Sequence, residues 1–238
     1  MSAFVYGVAL QLKLDIRSKT MLVSCYFIPL IFFLFMGGIF TSVMPGMKNT
    51  LIQSMIVMGV SMGSFTGLPL TLAETCGDGI KRVYKANGVP LYMGLATMFI
   101  SAFIHLAVMC IVLLLLAPVI FGAAMPANLP VFFVVLAVYI AVSLSIGSIL
   151  GLAVKNQAKL SMVSQLVFLP SIMLSGIMFP ANLLPEAFEA AGKVFPACWG
   201  YRLMQEEEFI PGDLWYLVLL FCAAAVVCGI MLKKQELK

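Results

Sequence analysis

The chain has 238 residues, of which 63% are hydrophobic and only 10% are charged, and its mean hydropathy is +1.10. A soluble domain carries about 25% charged residues, so this composition excludes an ordinary soluble enzyme or binding module. The net charge of +4 is small, and the positions of the charges along the chain are more informative than their sum.

Residues 3–19 are predicted to form a helix that lies on the membrane surface. Its apolar residues recur every four positions, at Phe4, Val8, Leu12 and Ile16. Lys13 and Arg17 occupy a neighbouring stripe, and Asp15 can pair with Lys19 one turn later. A frayed polar tail is the alternative interpretation.

Six long apolar runs follow, and all 14 basic and 10 acidic residues fall outside them. The runs are Met21–Val43, Leu51–Ala73, Met93–Ile120, Val131–Val154, Leu160–Phe179 and Leu214–Leu232. Crossing a hydrocarbon core of about 30 Å takes about 20 apolar residues of helix, and a central charge costs roughly 2.5–3.5 kcal/mol. The sequence therefore predicts an all-α membrane protein with six transmembrane helices in a single domain, residues 1–238.

Small residues and prolines mark the runs internally. The second run carries small residues four apart at Gly59, Gly63 and Gly67, and the fourth run does so at Ser143, Gly147 and Gly151. This spacing favours close approach of helix backbones. Prolines that remove a backbone donor, and so can kink a helix, stand at Pro29, Pro69, Pro118 and Pro170.

The segment between the second and third runs, Glu74–Tyr92, is rich in glycine and basic residues. Ile80–Ala86 can form a short helix with a basic face, and Asn87-Gly88 is a strong turn signal. The residues support two interpretations equally: a helix that docks on a partner protein, or a basic loop held by lipid headgroups.

The segment between the fifth and sixth runs, residues 180–213, is too short to span and too apolar for a free loop. It predicts two short helices that dip into the outer leaflet, Ala187–Val194 and Cys198–Phe209. We expect aromatic residues at the headgroup level, namely Trp199, Tyr201, Trp215 and Tyr216. The acidic run Glu206–Glu208 would then lie in solvent.

Basic residues are distributed unevenly about the six runs. Eleven of the 14 fall in the N-terminal segment, the second and fourth loops, and the C-terminal tail. Basic residues concentrate on the cytoplasmic side of a membrane protein, so both termini are predicted to be cytoplasmic in a multi-pass protein of a bacterial-type cell membrane.

The chemistry that the chain lacks narrows its function. It has no GxxxxGK[ST] motif, no carboxylate in any apolar run and no metal-ligand spacing, and no catalytic residue or metal ligand is predicted. His105 is the one strongly ionisable residue inside a run, and we expect it to be neutral and hydrogen-bonded to a neighbouring helix. An ion-coupled carrier or channel and an intramembrane enzyme are disfavoured alternatives. The remaining class of function is a carrier that is driven by something outside this chain.

The stretch Leu174–Met204, LSGIMFPANLLPEAFEAAGKVFPACWGYRLM, resembles a known family signature. It is similar to the end of the fifth span in ABC-2 type transporter permeases, exporters of drugs or peptide antibiotics. The residues that match in order are Ser175, Gly176, Phe179, Pro180, Leu184, Pro185 and Pro196. The sequence departs from the family at Ala197-Cys198-Trp199, where a small polar residue usually follows the aromatic-proline step.

The resemblance implies partners and roles. Such a permease pairs with a second copy or a homologous chain and docks on two cytoplasmic ATP-binding subunits, which hold the ATP and magnesium; this chain itself would hold no cofactor and be no enzyme. Glu74–Gly88 would be the coupling segment, with partner-binding residues Glu74, Asp78, Gly79, Lys81, Arg82, Tyr84, Lys85, Asn87 and Gly88. Residues 1–20 would be the interfacial helix, and Pro180–Glu208 the re-entrant segment that closes the exit.

The same resemblance suggests a path for cargo between the second and fifth spans. Its candidate lining residues are Met58, Met62, Phe65, Gln165, Phe168 and Met173. Methionine adapts to varied apolar ligands, and uncharged walls favour hydrophobic or amphiphilic cargo such as a drug, a peptide antibiotic or a lipid-like molecule. Export is the expected direction.

Overall fold

A computed structural model describes residues 3–17, 19–75, 88, 90–178, 185–206 and 211–236. These residues form helices and turns, with no strand among them. The helices of the first half are α1 (Ala3–Arg17), α2 (Lys19–Leu22), α3 (Ile28–Ser42), α4 (Leu51–Met62) and α5 (Leu68–Thr75). Those of the second half are α6 (Leu91–Phe121), α7 (Leu129–Ala153), α8 (Gln157–Met173), α9 (Glu186–Gly192), α10 (Pro196–Gln205) and α11 (Pro211–Glu236).

Among the described residues, five helical stretches are long and apolar enough to cross a membrane, which supports five of the six predicted spans. They are Val23–Ser42, Pro45–Glu74, Tyr92–Phe121, Leu129–Ala153 and Leu214–Lys234. The remaining predicted span, Leu160–Phe179, contains α8, which is 17 residues long. At 1.5 Å per residue α8 rises about 26 Å, short of the hydrocarbon core, so the prediction of a sixth crossing stays a prediction.

Two of the four prolines produce a widened turn in the spans that contain them. A π-turn covers Val23–Phe27 just before Pro29, and a second covers Gly63–Gly67 just before Pro69. A proline has no N–H, and its ring clashes with the carbonyl four residues earlier. The backbone instead closes bonds over five residues, from the amide of Ile28 to the carbonyl of Val23 and from Leu68 to Gly63. The two π-turns pack against each other.

The second span, formed by α4, its π-turn and α5, lies at the centre of the bundle. The predicted small-residue contacts are present along it. A methyl group added to Gly63 would lie 2.5 Å from the Leu106 side chain of the third span. One added to Gly147 of the fourth span would lie 2.0 Å from the carbonyl oxygen of Ser64. Only glycine permits such contact, so these positions set the spacing of three helices.

The N-terminal helix is confirmed over Ala3–Arg17, but its contacts differ from the prediction. It packs along α6 with the face that carries Gly7 and Asp15, and Asp15 is buried. Two members of the predicted apolar stripe, Phe4 and Ile16, are exposed, as are Leu10 and Leu14. The helix therefore has apolar residues on its outer surface as well as on its packed face.

Two short helices are present where the sequence predicts them between the last two spans. They cover Glu186–Gly192 and Pro196–Gln205, close to the predicted bounds. Pro196 opens the second one, because proline fits the first turn of a helix, where no backbone donor is needed. Their dipping into a leaflet stays a prediction.

Candidate functional site

A cavity of about 500 Å³ lies at the predicted external end of the bundle. It is formed by the 3₁₀ turn Pro45–Thr50, the turn that follows α8, and helices α9 and α10. Its lining combines backbone, hydroxyl, aromatic and charged groups, from Gly46, Met47, Thr50, Ser175, Gly176, Glu189, Lys193, Cys198, Trp199, Tyr201, Arg202 and Gln205. Eight of these twelve residues, from Ser175 to Arg202, belong to the stretch Leu174–Met204 that carries the family signature.

The turn after α8 is built by Ser175 and Gly176. The Ser175 hydroxyl donates to the carbonyl of Ile172 at 2.7 Å and accepts from the amide of Ile177 at 3.4 Å. Gly176 has φ +84°, a left-handed conformation that glycine adopts without strain. A methyl group on Gly192 would lie 2.3 Å from the carbonyl oxygen of Leu174, so α9 rests directly on this turn. The Ser-Gly pair thus reverses the chain and seats α9.

Helix α10 is fixed to three neighbouring elements by its aromatic residues. The Ser54 hydroxyl of the second span donates to the Tyr201 hydroxyl at 3.3 Å. The Trp199 indole N–H donates to the carbonyl of Lys193 at 2.7 Å, and its ring lies 4.8 Å from that of Tyr216 in the last span. Tyr201 is buried and its hydroxyl has a partner inside the bundle; its predicted place at the headgroup level stays a prediction.

The charges at this cavity occur as neighbouring pairs of opposite sign. Lys193 contacts Glu189 at 2.9 Å and Arg202 contacts Glu206 at 3.7 Å, each one helical turn apart. Burial raises the pKa of the Cys198 thiol, which lies beside Lys193 and Arg202. The cavity can therefore accept a polar or zwitterionic group, but it places no paired carboxylates or activated nucleophile for chemistry.

The candidate path residues lie in three different environments. Met58, Phe65 and Phe168 are buried in the protein's own core. Met62 is half-buried, whereas Gln165 and Met173 are exposed on α8. The second-span residues thus face neighbouring helices within the chain. The exposed members of the candidate set both lie on α8. That these residues line a path for cargo stays a prediction.

The coupling segment falls mostly outside the described residues. This applies to Asp78, Gly79, Lys81, Arg82, Tyr84, Lys85 and Asn87, and in the external segment to Phe179, Pro180 and Leu184. Of its ends, Glu74 is exposed and accepts a hydrogen bond from Gln157 at 3.4 Å, and Gly88 is exposed with φ +64°. The described end of the second span therefore contacts the beginning of α8.

His105 makes the interhelical hydrogen bond that the sequence predicts. Its Nδ1 atom lies 2.8 Å from the Tyr26 hydroxyl, which belongs to the π-turn of the first span, and the two rings meet edge to face. Its Nε2 atom is buried without a hydrogen-bond partner among the described residues. In the described part of the chain no three His, Cys, Asp or Glu residues cluster closely enough to hold a metal ion.

A buried carboxylate is present that was not predicted from the sequence. Asp15 is 2% exposed and accepts hydrogen bonds from Gln11 Nε2 at 2.8 Å and from Ser101 Oγ at 2.5 Å. These bonds take the place of the predicted pair with Lys19, whose side chain is exposed. The available signal was helical spacing: Asp15 is four residues after Gln11 and eight after Gly7, on the face that packs against α6.

Comparison with protein families gives one match. The family model described as ABC-2 type transporter covers residues 3–209, which is most of the chain and includes α1, the residues that line the cavity and α10. No curated protein and no solved structure gives a significant match.

Proposed function

The chain belongs to the ABC-2 type transporter family, and from that premise we propose that it is the permease of an ATP-driven exporter for hydrophobic or amphiphilic cargo. The family match supports a multi-pass permease subunit that associates with ATP-binding subunits. The proposal adds the direction of transport, the class of cargo, a second permease chain and cytoplasmic termini. It also takes 1–238 as one domain and α8 with the following turn as the sixth crossing.

The observation that carries the proposal is the combination of the family match with six apolar runs that contain no charged residue. Walls of this kind offer no binding energy for an inorganic ion, since a lone ion in a low-dielectric interior is strongly destabilised. They are compatible with a drug, a peptide antibiotic or a lipid-like molecule. The cavity at the predicted external end offers polar groups for the head of such a molecule.

In the proposed cycle ATP closes the partner subunits and draws two coupling segments together. The second span would transmit this movement, because α5 ends at Thr75, within the first residues of the coupling segment Glu74–Gly88. Helix α5 is held to α7 where a methyl group on Gly151 would lie 3.1 Å from the Pro69 carbonyl oxygen. The spans would then move as packed rigid bodies, and opening at the surface of α8 would release cargo outward.

The proposal is tested by purification from native membranes followed by reconstitution. We expect an ATP-binding subunit to co-purify, and the reconstituted complex to move ethidium or a short-chain fluorescent phospholipid only when ATP is hydrolysed. Replacing Lys81, Arg82 and Lys85 together by Glu should abolish co-purification by reversing the charge of the docking face. The matched control is Lys233→Glu with Lys234→Glu at the C-terminal end of α11, which should leave it unchanged. Undiminished binding in the triple variant would refute the docking role.

An ion-coupled carrier is the second candidate, and one observation favours it. Carriers driven by protons or sodium usually need an acid within the membrane part, and Asp15 is a buried carboxylate bonded to Ser101, which lies one helical turn before His105 on α6. Transport by the purified chain alone, without ATP and abolished by an ionophore, would establish this candidate and refute the exporter.

A further inference from the structure

The contact between Asp15 and Ser101 joins the N-terminal helix to the middle of an apolar span. Ser101 is fully buried and lies within the uncharged run Met93–Ile120. The two carboxylate oxygens have different partners: Oδ1 accepts from Gln11 of the same helix, and Oδ2 accepts from Ser101 of α6. The carboxylate is therefore a bridge between two helices.

Packing alone does not explain a carboxylate at this position. Burying a charged group is costly, and well-packed apolar residues at such sites are often as stable or more stable. A hydrogen bond to a charged group is directional, however, and losing it leaves a buried acceptor unsatisfied. If α1 rotated about its axis, Asp15 would lose its hydrogen bond to Ser101. This bond therefore fixes the rotational position of α1 on α6.

A second contact fixes the same helix further along. A methyl group on Gly7 would lie 3.2 Å from Cγ2 of Thr97, itself buried in α6. Gly7 and Asp15 are eight residues apart, about 12 Å along α1. Two contacts at this separation prevent tilting as well as rotation, and α1 and α6 therefore form one rigid unit.

The connectivity gives this unit a role. Helix α1 leads through α2 into the first span, and α6 begins directly after the predicted coupling segment. We propose that Asp15 is a positioning residue, which holds α1 on the third span so that movement of the coupling segment reaches the first span. This inference rests on the proposed ATP-driven transport.

The first experiment compares Asp15→Leu with Asp15→Asn in the reconstituted complex with its ATP-binding subunits. The amount of probe moved per ATP hydrolysed should fall about tenfold in Asp15→Leu. Losing one hydrogen bond to a charged group should lower the population of the correctly packed α1 by about this factor. Asp15→Asn should retain most of the ratio, because its amide oxygen can still accept from Ser101. Ser101→Ala should behave like Asp15→Leu. An unchanged ratio in Asp15→Leu would overturn the proposal.

The second experiment keeps Asp15 and locks the contact. Cysteines at positions 7 and 97 should form a disulfide, because a Cβ on Gly7 would lie 3.2 Å from Cγ2 of Thr97. The Sγ of a cysteine at position 97 can take the place of that Cγ2, which brings it within bonding reach of a cysteine at position 7. The oxidised Gly7→Cys, Thr97→Cys protein should transport at the wild-type rate, because the two helices move together. Gly7→Cys alone, treated with the same oxidant, is the control. Loss of transport on locking would overturn the proposal.

Cross-linking in membranes also separates this inference from the proposed function. If the wild-type complex moves neither probe when ATP is hydrolysed, the proposed export of hydrophobic or amphiphilic cargo is refuted. Formation of the disulfide between cysteines at positions 7 and 97 can still be measured in that case. Its rate of formation should fall about tenfold when Asp15→Leu is added and stay near the starting value with Asp15→Asn. Equal rates in all three proteins would refute the positioning role on its own.

Discussion

The second span and the last span are both long apolar helices, yet one is buried in the bundle and the other is on its surface. For Pro45–Glu74, 83% of the most apolar stretch is buried inside the protein, against 17% for Leu214–Lys234. The buried span is the less apolar of the two, with a mean hydropathy of 1.5 against 2.5. In a membrane the apolar solvent is outside, so hydropathy identifies a span without telling which helix forms the core.

What distinguishes the buried span is its small and hydroxyl-bearing residues. The Ser61 hydroxyl lies 2.6 Å from the Tyr139 hydroxyl of the fourth span, and Tyr139 also donates to the carbonyl of Val57 at 3.3 Å. The last span has a glycine too, but a methyl group on Gly229 would meet nothing within 4 Å. Close packing and polar contacts between helices therefore determine the interior.

The largest effect is expected from adding one methyl group where the fourth span packs against the buried second span. Gly147→Ala places Cβ 2.0 Å from the Ser64 carbonyl oxygen, a backbone atom that cannot move aside alone. We expect destabilisation of about 3 kcal/mol or more, at the upper end of overpacking costs. Gly229→Ala in the last span should be neutral or stabilising by up to about 1 kcal/mol. Unfolding in mixed detergent micelles measures both, and equal midpoints would contradict the assigned packing.

A smaller effect is expected from removing one buried hydroxyl. Tyr139→Phe should lower the free energy of unfolding by about 1–2 kcal/mol, because Ser61 loses its partner. A double-mutant cycle with Ser61→Ala should give a coupling energy of at least about 0.5 kcal/mol. Tyr216→Phe in the last span is the matched control, since its hydroxyl donates to Val194 in an exposed setting. If Tyr216→Phe lowered the free energy of unfolding as much as Tyr139→Phe, the proposed difference between the buried and the exposed span would be contradicted.

The smallest effect on transport is expected at His105. His105→Phe removes the hydrogen bond to Tyr26 and should cost about 1 kcal/mol of stability, while ATP-driven transport should continue at the wild-type rate. An intramembrane enzyme or a proton relay would require this imidazole. Complete loss of transport in a folded His105→Phe protein would therefore favour those alternatives over the exporter.

The helices were predictable because charges are excluded from apolar spans. The two short helices near Glu186 and Pro196 were predictable as well, since prolines bound them and they are too short to span. The π-turns were not: Pro29 and Pro69 indicate that the helix bond pattern must change, but a kink and a widened turn satisfy the same constraint.

The candidate site was predictable only in part. The Ser175-Gly176 turn and Pro196 do line or support the cavity. The burial of Tyr201 was missed because aromatic residues near a span end fit either the headgroup region or a partner inside the bundle. Asp15 was missed because the sequence places it next to basic residues, and only the contact with Ser101 of a distant run reveals its environment.

The length of α8 has a consequence for the surrounding lipid. If α8 crosses the bilayer as proposed, its helix of about 26 Å is shorter than the acyl-chain region it must match. Such hydrophobic mismatch is relieved when the adjacent bilayer thins or the chain continues beyond the helix, as it does here in the turn at Leu174–Gly176. The outer leaflet would be thinnest beside the exposed face of α8, which would shorten the distance that the head of an amphiphile travels.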